Sequence, residues 1–69
     1  MVLRREVIQT DKCRIPITLS SEGEGDGLIY AIDVDGVEWL TTENQMHAVV
    51  LFTMMFEHLT EYMNYESLN

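Results

Sequence analysis

The chain has 69 residues and a formal net charge of −8, from twelve acidic and four basic residues, and Cys13 is its one cysteine. This length predicts one domain, residues 1–69, with a marginal core and no disulfide bond within the chain. The longest apolar run spans residues 48–56, which is too short for a membrane span of about 20 residues. Residues 1–10 lack the apolar core of a signal peptide. We therefore expect a soluble cytoplasmic protein.

The first part of the chain has the pattern of an antiparallel meander. Within residues 13–20 the side chains of Ile15, Ile17 and Leu19 alternate with polar ones, as in a half-buried strand. Pro16 cannot donate a ladder hydrogen bond, which predicts an edge position or a bulge for this strand. The predicted strands cover residues 2–9, 13–20, 28–34 and 37–40.

The third and fourth predicted strands are joined by a recognisable turn. Asp35-Gly36 is a residue pair favoured at the centre of a two-residue type I′ hairpin. The short strand that follows contains Trp39, and we predict that this side chain lies near the core.

The period of the apolar residues changes after the fourth strand from two to the helical spacing. Thr42 is a candidate N-cap, and Gln45 three residues later completes a capping box, so we predict a helix over residues 43–64. The predicted sheet-facing stripe is apolar, with flanking residues on both sides. The stripe comprises Ala48, Phe52, Met55, Leu59 and Met63, flanked by Val49, Leu51, Phe56 and Tyr62.

The helix has one competing interpretation. Val49, Val50 and Thr53 are weak helix formers, so a buried strand over residues 48–56 is the alternative. With the helix, the predicted fold class is α+β: an antiparallel three- to four-stranded meander packed against one long C-terminal helix.

A second apolar row lies on the other face of the predicted helix. Met46, Val50 and Met54 recur at four-residue spacing, and methionine adapts well to irregular partner surfaces. Glu57 and Glu61 form a like-charge pair that no Lys or Arg of the helix offsets. Because one helix face suffices to cover the sheet, this row predicts a protein-binding surface. The predicted partner-binding residues are Met46, His47, Val50, Met54, Glu57, His58 and Glu61.

Residues 22–33 are spaced like an EF-hand calcium loop, with Gly27 at the sharp turn. The first position is Glu22 where Asp is expected, and Asp33 at the last position is too short to chelate through both oxygens. Strand patterns also replace the two flanking helices. We therefore interpret the segment as a solvated loop, with weak calcium affinity as the alternative, and predict no metal site and no cofactor. The acids form a predicted secondary acidic surface: Glu22, Glu24, Asp26, Asp33 and Asp35.

Little in the sequence indicates catalysis. Cys13, on the inward face of a predicted strand, is interpreted as a small buried hydrophobe. His47 and His58 lie roughly 16 Å apart along the helix axis, so one ion cannot bind both within a chain, although an antiparallel dimer could bring them together. An enzyme is therefore not expected.

The charge distribution indicates the kind of partner. All four basic residues lie within residues 1–14, whereas residues 15–69 contain ten acids and no Lys or Arg. Phosphate contacts need a basic surface, so direct nucleic-acid binding is not expected. A basic, partly apolar surface on another protein is the natural complement.

These features predict a small acidic, non-enzymatic protein that binds a basic surface of another protein. In type, being tiny, acidic and α+β, the chain resembles phage or mobile-element proteins that inhibit host nucleases, polymerases or defence proteins, and the likeness rests on no motif. A homodimer is also expected, and it could exist together with the foreign partner if different parts of the chain served each. The alternatives in function are a structural or regulatory homo-oligomer without a foreign target, formed through the same helix face, and a weak calcium-binding module.

Overall fold

The computed structural model describes residues 1–68, with side-chain surroundings described for residues 1–64. The fold is α+β, as predicted: a four-stranded antiparallel sheet in the order β1-β2-β3-β4, with one C-terminal helix packed against it. The segment 48–56 is helical, so the strand alternative is wrong. The elements are β1 Val2–Gln9, β2 Arg14–Glu22, β3 Ile29–Val34, β4 Val37–Thr42 and α1 Gln45–Leu68, with a 3₁₀ turn at Gly25–Gly27.

The core lies where one face of the sheet meets α1. Phe52, Ile17 and Ile32 are fully buried there, and burial of each such side chain stabilises the fold by about 1.5–3 kcal/mol. Within residues 1–64 no polar or charged residue is buried. The buried core cluster comprises Ile17, Leu19, Tyr30, Ile32, Val34, Ala48 and Phe52.

Pro16 does not lie at a sheet edge, because β2 is an interior strand between β1 and β3. It pairs with Val7 of β1, whereas pairing with β3 starts one residue later, at Ile17. The Pro16 carbonyl accepts a hydrogen bond from the backbone N–H of Asp35, at 2.8 Å. Since the N–H and C=O of a strand residue point to the same neighbour, the missing donor faces the turn that follows β3. The prediction of an edge position is wrong, because proline is also tolerated where a neighbouring strand has ended. The pairing of β1 with β2 does contain a register shift, but it lies between Val2 and Arg4 of β1, away from Pro16.

The hairpin between β3 and β4 has the predicted turn, since Asp35 and Gly36 have φ of 53° and 81°, as type I′ requires. A bulge in β4 then sets Glu38 and Trp39 opposite a single residue of β3. Leu40 packs on the core, whereas Trp39 is 60% exposed. The prediction that Trp39 lies near the core is wrong, because adjacent strand residues point to opposite faces and Leu40 occupies the inner one.

The helix begins two residues later than predicted, and its N-cap is Asn44 rather than Thr42. Oδ1 of Asn44 accepts a hydrogen bond from the His47 backbone N–H at 3.0 Å, as an N-cap side chain does. Thr42 is still part of β4, where it pairs with Tyr30, and its hydroxyl accepts a hydrogen bond from the Asn44 N–H at 3.2 Å. The capping box was mispredicted because Thr42 is still paired with Tyr30 in the sheet, so the helix begins only after Asn44.

One basic side chain of β1 closes the rim of the core. Arg4 lies over the ring of Phe52, with 5.2 Å between its Cζ and the ring centroid. Its Nε is also 3.4 Å from a carboxylate oxygen of Glu6. The side chains of Arg4 and Glu6 lie on the core-facing side of β1 with buried Ile8. From Arg4 onward the side chains of β1 therefore alternate between the two faces of the sheet, even though the sequence pattern of polar and apolar residues is irregular.

The loop after β2 depends on the absence of a side chain at Gly23. Its φ is +92°, and a Cβ there would overlap the carbonyl oxygen of Gly27. We expect Gly23→Ala to lower the free energy of unfolding by about 1–3 kcal/mol, as measured by urea denaturation.

The matched control for this prediction is Gly27→Ala. A Cβ at Gly27 would meet no atom within 4 Å, and its φ is not positive. We expect a change within about 0.5 kcal/mol, so equal losses for the two variants would contradict the role given to Gly23.

Candidate protein-binding surface

The face of α1 that points away from the sheet carries a continuous row of exposed side chains. Met46, Val50 and Met54 lie on it, with Met46 74% and Met54 59% exposed. The same four-residue spacing continues through exposed His58 to Tyr62, which is 54% exposed. We call these five residues the outer ridge. It spans about 24 Å along the helix axis.

Two apolar residues of this surface were assigned to the sheet-facing side by the sequence pattern. Tyr62 and Val49 were expected to flank the buried stripe, but both are exposed. A four-residue step advances about 40° beyond a full turn, so the outer ridge winds obliquely around the helix and reaches Tyr62. Val49 lies three residues after Met46 and widens the ridge near its start. The i, i+4 spacing from Met54 through His58 was the signal that could have identified Tyr62.

The two ends of the outer ridge differ in chemistry. Its first half is apolar, whereas Glu57 and Glu61 lie exposed beside its second half. The sequence of α1 contains no Lys or Arg that could offset these two acids. The surface therefore passes from apolar to acidic along the helix.

The two histidines lie at different points of this surface and do not meet. Both His47 and His58 are exposed, and the eleven residues between them correspond to roughly 16 Å of helix. Across the part of the chain that the structure describes, no group of three or more His, Cys, Asp or Glu side chains is placed to hold a metal ion.

The residues of the predicted secondary acidic surface are divided between two ends of the sheet. These residues are Glu22, Glu24, Asp26, Asp33 and Asp35. Glu22 pairs with Ile29, and Asp33 lies four residues further along β3, at about 13 Å. The first and last residues of the calcium-loop pattern therefore cannot reach one ion within a chain.

Cys13 does not lie within a strand, contrary to the sequence-based prediction. It occupies the turn before β2 and is half-buried. The Thr10 hydroxyl oxygen accepts a hydrogen bond from the Cys13 backbone N–H at 3.2 Å and lies 3.4 Å from its Sγ. The strand starts one residue later than predicted because this hydroxyl organises the turn.

An open groove of about 710 Å³ lies beside the start of α1. The residues that line it include no His, Cys, Lys or Arg, so they offer no pairing of a nucleophile with a histidine or lysine base. The lining residues are Met1, Leu3, Ser21, Glu22, Gly23, Leu28, Tyr30 and Gln45.

Comparisons with known proteins identify no relative: no family model matches the chain, and neither the curated proteins nor the solved structures contain a significant match. In the described part of the chain, no helix has both the length and the apolar character that crossing a membrane requires.

The exposure of the outer ridge predicts how its residues affect stability. We expect Met46→Gln and Met54→Gln each to change the free energy of unfolding by less than about 0.5 kcal/mol, because neither side chain belongs to the core. Phe52→Leu, on the buried face, should lower it by about 1–2 kcal/mol. Urea denaturation at low protein concentration measures all three, and a loss above about 1 kcal/mol for Met54→Gln would contradict the exposed position.

Proposed function

We propose that this chain is a small, non-enzymatic, cytoplasmic binding protein that docks its outer ridge on another protein. The observation that carries the proposal is the juxtaposition on one exposed helix face of Met46, Val50 and Met54 with uncompensated Glu57 and Glu61. The partner surface that fits combines an apolar patch with a basic rim.

The apolar half of the outer ridge supplies binding energy. Burial of apolar area contributes roughly 25 cal/mol per Å², and the side chains of Met46 and Met54 are largely available for it. Methionine side chains are flexible and polarisable, so they pack on surfaces of irregular shape.

The two acids beside the second half of the outer ridge select the partner by charge. Glu57 and Glu61 belong to a chain of net charge −8, which attracts basic surfaces over distances of about a Debye length. Proteins that handle nucleic acids present such surfaces to phosphate groups. We therefore propose that the target is a host nucleic-acid-handling or defence protein, inhibited in the manner of small phage or mobile-element proteins.

A homodimer through the outer ridge is the competing function, and the charges on α1 disfavour it. In an antiparallel pair centred on Val50, Met46 meets the partner's Met54, but Glu57 approaches the partner's Glu43. In a parallel pair, Glu57 and Glu61 meet their own copies. Like charges face each other in both arrangements, and α1 has no Lys or Arg to offset them, so a basic foreign partner fits better.

The proposal is tested with the ridge variant Met46→Gln/Val50→Gln/Met54→Gln. Proteins retained from a host extract by the immobilised chain are identified by mass spectrometry, and the target is then purified and its Kd measured. We expect the ridge variant to weaken binding at least about tenfold, because it removes apolar contacts at the centre of the interface. Val37→Gln is the matched control, since Val37 is an exposed apolar residue outside α1, and its affinity should be unchanged.

The electrostatic part of the proposal predicts a salt dependence. Between about 50 mM and about 300 mM salt, the Kd should rise roughly tenfold or more, because screening weakens the attraction between opposite charges. Isothermal calorimetry measures this change. A salt-independent Kd, or equal loss with the ridge and control variants, would overturn the assignment of the outer ridge.

The homodimer alternative makes an opposite prediction about mass. If two copies joined through the outer ridge, Met46→Lys/Val50→Gln/Met54→Lys would convert a dimer to a monomer and lower its melting temperature. We expect the mass measured by light scattering to be the same for this variant and the natural chain. A halved mass would favour the homodimer.

A further inference from the structure

The face of the sheet opposite α1 carries a row of charged side chains with opposite signs at its two ends. Arg5 of β1 pairs with Thr18 of β2, Thr18 with Asp33 of β3, and Asp33 with Glu38 of β4. Paired residues of antiparallel strands project from the same face. Because the strand order places β1 and β4 at opposite edges, the row starts with a cation and ends with two acids.

The bulge in β4 adds Trp39 to the acidic end of this row. Its neighbour Leu40 packs on the core, so the side chain of Trp39 projects from the outer face, where it is 60% exposed. A tryptophan this exposed is unusual on the surface of a free domain and is enriched at the energetic centres of protein interfaces.

The neighbouring row on the same face is flat. Ser20 pairs with Ala31, and Ala31 with Thr41. Ala31 is buried although it points away from α1, since its short side chain does not rise above its neighbours. Small side chains in the middle of a sheet allow a second layer to approach closely.

We propose that a second copy of this chain packs face to face on this surface, about a twofold axis that runs along the strands. This symmetry lays β1 over the partner's β4 and β2 over the partner's β3. A twofold axis along the strands does not shift residues in the strand direction. Arg5 therefore meets the partner's Glu38 and Trp39, and the same contacts form a second time by symmetry.

The charge pattern of the row is what selects a second copy as the occupant. Reversed by the twofold axis, the row is complementary to itself, with a cation over acids at both edges. A nucleic acid would instead meet the carboxylates of Asp33 and Glu38. The arrangement leaves α1 on the outside of both copies, so the outer ridge stays free and this inference does not depend on the proposed function.

The size of the face sets the expected strength of the pair. Four strands of about six residues give a footprint on the order of 400 Å² per copy, which is below the area that stable specific interfaces bury. We therefore expect a dimer that forms at high micromolar concentration and dissociates on dilution. Moderate salt should preserve or strengthen this dimer by screening the repulsion between two chains of charge −8. The same salt should lower the affinity of the outer ridge for a basic protein.

The first test uses Trp39, the one tryptophan of the chain, as a reporter of the interface. In about 0.15 M salt, where the Debye length is about 8 Å, sedimentation equilibrium should show a rise with concentration from the monomer mass of 8.0 kDa to twice that value. The tryptophan emission should shift to shorter wavelength over the same concentration range, and its quenching by acrylamide should fall.

The second test reverses the charges at the two ends of the row. Arg5→Glu and Glu38→Arg should each weaken the dimer at least about tenfold, because like charges then face each other. An equimolar mixture of the two variants should restore it, since the reversed charges meet in one contact and the natural Arg5–Glu38 pair forms in the other. Met54→Gln, on the outer ridge, is the matched control and should leave both the mass and the emission unchanged.

Several outcomes would overturn the proposal. These are a monomer mass with unchanged tryptophan emission up to millimolar concentration, a dimer insensitive to Arg5→Glu, a mixture of variants that stays monomeric, and a dimer lost in Met54→Gln. A single-stranded oligonucleotide that shifts the tryptophan emission while the chain remains a monomer would assign the face to nucleic acid instead.

Discussion

The packing of Phe52 and Ala48 against Ile17 and Ile32 is the contact on which the rest of this structure depends. It joins the single helix to one face of the single sheet, and within residues 1–64 it does so without burying a polar or charged side chain. Once Phe52 is inside, the direction of every other helix residue follows from the helical repeat. The same contact decides which face of the sheet is covered, because adjacent strand residues point to opposite sides.

Two layers of this kind leave two broad outward surfaces, and their charges make them suited to different partners. The outer ridge of α1 and the acids beside it, Glu57 and Glu61, lie on a helix whose sequence has no Lys or Arg, so we propose a basic protein rather than a second copy as their partner. The open face of the sheet carries Arg5 at one edge and Asp33 and Glu38 near the other, so it complements its own reversed copy. The two proposed interactions therefore use separate surfaces and can occur together, in which case a dimer would present two ridges.

The small size of the chain gives both interactions a consequence for stability. A 69-residue chain buries only about 60% of the surface that its unfolded form exposes, and within a chain no disulfide can form. A partner that binds only the folded state stabilises it by mass action. Local features such as the Asn44 cap and Gly23 matter for the same reason, since each contributes a sizeable part of a small total.

Much of the fold could be predicted because it follows from neighbours close in sequence. The alternation around Ile17, the Asp35-Gly36 turn and the helical spacing of the apolar residues from Ala48 onward are local patterns, and they indicated the strands, the hairpin and the helix. The exposed positions of Met46, Val50 and Met54 were also accessible in this way, because helical periodicity alone sets them opposite Phe52.

The remaining features depend on residues far apart in the chain, so only the tertiary structure decided them. Pairing with Tyr30 keeps Thr42 in the sheet, so Asn44 is the N-cap of the helix. Pro16 is tolerated in an interior strand because β3 ends before it reaches that position. The bulge in β4 turns Trp39 outward, and the strand order sets Arg5 and Glu38 at opposite ends of one row. The sequence by itself determined which segments alternate, turn or coil and how charge is divided between them. Which side chains share a face or an edge was decided by strand pairing, because those contacts join residues that local propensity cannot relate.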